Sequence, residues 1–138
     1  MNYVMTKARF RILILLYVAS LAATGIEELY FPAQFSEELA AAYSTESLPP
    51  FALNPTIFLP LAAALSSAII VPPAAMFYFR KWGRSFGTCA TVAMLVALPF
   101  LGPSLSSGFG TSVSQLSAIL WGAILALAYF SPLSRDFR

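Results

Sequence analysis

The residues able to do chemistry are few, and their spacing excludes more mechanisms than it suggests. The chain has no histidine and one cysteine. An internal disulfide is therefore impossible, and the usual imidazole or thiolate metal centre lacks its ligands. Cys89 lies inside an apolar run, where it reads as a small packing residue, with a reactive or lipidated thiol as the alternative. Carboxylates fall in the pairs Glu27–Glu28 and Glu37–Glu38, with Glu46 and Asp136 alone. Nothing basic stands near the serines and threonines of the apolar runs, so triad and general acid–base chemistry lack their parts. No catalytic residue, cofactor-binding residue or metal ligand is assigned. The carboxylate pairs read as solvated loop charge. Glu27 or Glu28 acting as a base at a membrane edge is a third reading, a lipid-active enzyme.

The elements that must carry these groups are mostly apolar. Apolar residues make up 59% and charged residues 10% of the 138, and the mean hydropathy is +0.76. Soluble domains carry roughly a quarter charged residues, so the composition points to a membrane. Four apolar runs, 10–26, 56–79, 85–103 and 113–133, each approach the roughly 20 residues that cross hydrocarbon as a helix. They lack the alternation of barrel strands, and a helix satisfies its own amides in lipid. The predicted fold class is all-α: a single domain, 1–138, forming an integral membrane bundle of four transmembrane helices. An outer loop, 27–54, and an inner turn, 80–84, connect the first three spans.

Charge placement orients this bundle. The basic residues are Lys7, Arg9, Arg11, Arg80, Lys81, Arg84, Arg135 and Arg138, and five of the six acids share the 27–54 loop. With the N-terminus in the cytoplasm, four crossings put every cation on that side and the acidic loop on the other. The expectation is an N-in/C-in protein of a bacterial-type cytoplasmic (inner) membrane. Arg80, Lys81, Trp82 and Arg84 would anchor the inner turn at the phosphate level, with Tyr78 and Trp82 in the aromatic belt. Cations bracketing apolar runs are not a nucleic-acid footprint, which needs a continuous basic face. The first run also fits a secretory signal peptide over 1–22, whose cleavage would leave three spans.

Inside the loop, "SEELAAAYST" (36–45) reads as a short outer amphipathic helix. Ser36 is its N-cap, Glu37 and Glu38 suit its positive end, and Phe35, Leu39 and Tyr43 recur every four residues. Pro60 and the pair Pro72–Pro73 kink the second span, and Pro72–Pro73 is also a candidate hinge. In the fourth span Ser114, Ala118, Gly122 and Ala126 repeat every four residues and make one face flat. Gly83 and Gly87 do the same at the start of the third. Such faces serve packing within the chain or contact with a partner. "GPSLSSGFGTS" (102–112) reads as a flexible re-entry turn, without the lysine of a phosphate loop.

No carboxylate is expected within the spans, which argues against proton-coupled export. The expected function is non-enzymatic. A small multi-pass protein would bind or regulate a membrane-protein partner as an accessory subunit, or form a homo-oligomer. Its contact residues would be Ser114, Ala118, Gly122 and Ala126 in the bilayer, with Glu37, Glu38 and Tyr43 outside. The alternative is a small oligomeric transporter or channel with Pro72–Pro73 near its path.

Overall fold

Cap chemistry sets where the apolar runs become helices. The computed structural model describes residues 5–30, 54–97 and 107–137, apart from the side chains of 28–30 and 58. Among the described residues four helices follow one another: α1 (Lys7–Tyr30), α2 (Pro55–Phe77), α3 (Lys81–Ala97) and α4 (Gly108–Phe130), then a 3₁₀ turn, Pro132–Arg135. No strand occurs among the described residues. Asn54 caps α2 by accepting from the Thr56 amide at 3.0 Å, and Pro55 takes the first helical position, where a missing N–H is harmless. Ser107 caps α4, its hydroxyl accepting from the Gly110 amide at 2.9 Å.

Among the described residues three helices are long and apolar enough to cross a membrane: Lys7–Glu27 of α1, Pro55–Phe77 and Gly108–Phe130. The described part of α3 has 17 residues, about 25 Å of helix. Large apolar side chains such as Leu59, Ile70, Leu95, Ile119 and Phe130 point outward. A soluble protein would not present so many of them together, and the described helices have the surface of a membrane protein.

Packing runs in two pairs. α1 lies antiparallel along α4, and α2 along α3. From α1, Phe10, Ile14, Tyr17, Ser20 and Glu27 are buried at spacings of three, four and seven. From α4, Gly110, Ser117, Ile124 and Ala128 are buried in the opposite order. Near the junction of α2 and α3 the two helices almost touch. A Cβ built on Gly83 would stand 2.6 Å from Ala75 Cβ, and one on Gly87 would stand 3.2 Å from Pro72 Cβ. The glycine pair therefore packs within the chain.

The α2–α3 junction ends in a Schellman turn. Phe79 N–H donates to Met76 O and Arg80 N–H to Ala75 O, both at 3.0 Å. Phe79 occupies the left-handed position at φ 56°, where glycine is usual. Its ring explains the exception, being 8% exposed and 5.2 Å from Phe137 and 5.6 Å from Phe10. Phe10 also meets Phe137 edge-on at 6.0 Å. Three aromatic side chains thereby join the start of α1, the α2–α3 turn and the C-terminal tail at one end of the bundle.

Several boundaries differ from those expected. The turn is 78–80, and Lys81, Trp82 and Arg84 belong to α3, because the Schellman turn closes α2 early. α1 continues past residue 26 to Tyr30 and carries Glu27 with it. α4 starts at Gly108, so the end of the glycine–serine segment is helix, not turn. α2 runs unbroken through Pro60, Pro72 and Pro73. Pro72 and Pro73 are buried, Pro72 against the Gly87 surface. Cys89 is exposed on α3 rather than packed in the interior.

Candidate functional site

Three regions hold the polar groups that an apolar bundle must position. At one end is the cationic cluster. Arg84 reaches across to the C-terminus: its Nη1 donates to Ala128 O at 3.3 Å and Ser134 O at 3.4 Å. The guanidinium lies 5.2 Å from the Tyr129 ring centre and 5.4 Å from that of Phe137. A cation is favourable there, since the carbonyls ending α4 carry the negative end of the helix dipole. Lys7 pairs with Asp136 at 3.0 Å, and Arg11 sits over Phe77 at 5.1 Å while donating to its carbonyl at 3.4 Å. Arg80, Lys81 and Trp82 are exposed beside them. Of the four expected anchors, three face outward and Arg84 turns inward to clamp the tail.

At the other end α1 and α4 meet through Glu27, which is only 9% exposed. The Ser107 hydroxyl donates to its carboxylate, and Gly110 is the residue it covers. Since the same hydroxyl caps α4, the carboxylate stands at the positive end of that helix. This corrects the reading of Glu27 as solvated loop charge. The serine that holds it lies 80 positions away, so nothing local in the sequence marks the contact. The side chain of Glu28 lies outside the described residues, as do Glu37, Glu38 and Tyr43.

Between these ends a polar seam runs through the α1–α4 interface. Ser117 donates to Ser20 at 2.8 Å, and Ser20 donates to Tyr17 O at 2.7 Å. Tyr17 stacks on Trp121 with ring centres 5.1 Å apart. Trp121 Nε1 donates to Thr91 at 2.7 Å, and Thr91 bonds back to Gly87 O at 2.8 Å, which ties α3 to the pair. The Ser20, Ser117 and Thr91 hydroxyls and the Trp121 N–H each have a hydrogen-bond partner, so the seam holds helices together. No group of three or more potential metal ligands is found among the described residues.

The outward face of α4 is different. Ser114, Ala118, Gly122 and Ala126 are all exposed, and a Cβ on Gly122 would meet nothing within 4 Å. The face therefore does not pack within the bundle among the described residues. The buried small residues of α4 are Gly110, Ser117 and Ala128 instead. Beside the outward stripe stands Gln115, exposed, with a carboxamide that has no hydrogen-bond partner among the described residues. Small-residue spacing does not point to it, although it is the one amide side chain in the four apolar runs. That rarity was the available signal. Comparison of the chain with known protein families, with curated proteins and with solved structures found no match.

Proposed function

We propose that this protein is a non-enzymatic, multi-pass membrane protein that binds or regulates a membrane partner as an accessory subunit through the outward face of α4. Gln115 carries the reading. A carboxamide about 10 Å along a membrane-crossing helix faces hydrocarbon unless another helix supplies donors and acceptors. Ser114, Ala118 and Gly122 beside it are small enough to let a second backbone approach. In the same reading the cationic end lies in the cytoplasm of a bacterial-type inner membrane. α3 then completes a fourth crossing, and Glu27 lies near the outer surface.

Site-directed crosslinking in native membranes tests this on a Cys89→Ser background. Ala118→Cys and Gly122→Cys are expected to give a discrete crosslinked species. Ile70→Cys, on the exposed surface of α2, is not. Gln115→Leu should reduce the crosslink, since one interhelical side-chain hydrogen bond in membranes contributes about 0.6 kcal/mol and up to about 2. Crosslinks of equal yield from α2 and α4, or none from α4, contradict the proposal.

A further inference from the structure

A second feature lies away from α4. α1 and α2 meet at the cationic end through Arg11 and Phe77, and an apolar groove of about 750 Å³ lies between the two helices. Its walls include Ile14, Val18 and Gly25 of α1 with Ile70, Pro73 and Phe77 of α2. From Ile14 to Gly25 it runs about 17 Å, close to half of the roughly 30 Å hydrocarbon core. That is the depth of one leaflet. Arg11 stands one turn before Ile14 and rests on the ring of Phe77, a residue of the groove wall. Arg11 has no carboxylate partner among the described residues, and Arg80 and Lys81 nearby have none either. The ion pair described at this end is Lys7–Asp136.

We propose that this groove holds one acyl chain of an anionic glycerophospholipid, with the headgroup phosphate against Arg11. Length selects a single-leaflet chain, and charge selects the headgroup. A transmembrane helix of a partner would span both leaflets and overrun the groove. A zwitterionic lipid offers the same phosphate but sets a headgroup cation beside Arg11, Arg80 and Lys81, whereas an anionic lipid brings them net negative charge. Arg11 is suited to the phosphate because its guanidinium offers several donors in a fixed plane while its other face stays on the aromatic wall.

Native mass spectrometry of the full chain, released from nanodiscs of equal phosphatidylglycerol and phosphatidylcholine, tests it. The expected result is a retained phospholipid enriched roughly fivefold in phosphatidylglycerol. Arg11→Gln should bring the two lipids to near equality. Gly25→Leu should abolish retention without lowering the unfolding midpoint, since a Cβ there meets nothing within 4 Å and the helix gains from losing a glycine. Ala22→Leu, which fills the same groove about one turn away, should repeat that loss. Retention in the bulk ratio by the unaltered protein, or retention unaffected by both groove-filling variants, overturns the proposal.

Discussion

Gly83→Ala is the sharpest perturbation of the packing described above. The added Cβ would stand 2.6 Å from Ala75 Cβ and 3.1 Å from both the Ala75 carbonyl carbon and the Met76 nitrogen. Ordinary carbon contacts lie at roughly 3.5–4.0 Å, so α2 and α3 must separate by about 1 Å. No side chain can swing aside to absorb this, because two of the three obstructing atoms are backbone. Separation loosens Met76, which is fully buried, and opens the Gly87–Pro72 contact four residues along. Overpacking of this kind costs about 1–3 kcal/mol. A 2.6 Å approach backed by main-chain atoms belongs in the upper half of that range, about 2–3 kcal/mol. The helical gain of alanine over glycine, up to about 1 kcal/mol, leaves a net loss of at least about 1 kcal/mol. Gly122→Ala is the internal control: its Cβ enters open space, so only the helical gain remains. Reversible unfolding in mixed micelles should rank the proteins Gly122→Ala, then unaltered, then Gly83→Ala. A Gly83→Ala variant as stable as the unaltered protein would show that the glycine contact is not tight.

Other expected outcomes follow from single contacts. A double-mutant cycle of Ser20→Ala and Ser117→Ala should return a coupling of about 0.6 kcal/mol; additive effects would place the two hydroxyls apart. Arg84→Gln removes two charge-assisted hydrogen bonds and two ring contacts. It should lower stability by about 1.5–3 kcal/mol and make residues 131–138 sensitive to carboxypeptidase, whereas an unchanged digestion rate would deny the clamp. Phe79→Gly relieves the left-handed backbone by about 1 kcal/mol but removes a buried ring, which costs about 3–5 kcal/mol. Net destabilisation is expected, and net stabilisation would mean that the aromatic cluster contributes little.

Some of this architecture was legible in the sequence, and the reasons are physical. Composition and run length pointed to helices fit for a membrane, because an apolar stretch of roughly 18 residues has few other uses. The bracketing of apolar runs by cations anticipated that the start of α1, the α2–α3 turn and the tail meet at one end, as the Lys7–Asp136 and Arg11–Phe77 contacts show. Small-residue spacing was ambiguous. It marks a flat face but not what covers it, so Gly83 and Gly87 turn inward while Gly122 turns outward. The buried seam of α4 instead combines Gly110, Ser117, Ile124 and Ala128, residues with no common size or polarity. Contacts across long separations left no local trace. Glu27 needs Ser107, and Trp121 needs Thr91. Phe79 at positive φ is invisible to propensity, since only the tertiary burial of its ring selects it. The candidate contact residues Glu37, Glu38 and Tyr43 lie outside the described residues. The outward face of α4 is legible only in part, because small-residue spacing passes over Gln115.

The account rests on all the cations gathering at one surface of the bilayer. Thiol labelling of sealed, oriented vesicles measures this directly, using single cysteines at Arg80, Arg135 and Ser44 in a Cys89→Ser background. Arg80→Cys and Arg135→Cys should react from the cytoplasmic face only, and Ser44→Cys from the opposite face only. Reaction of the Arg80 and Arg135 positions from opposite faces, or of Arg80 and Ser44 from the same face, would contradict it.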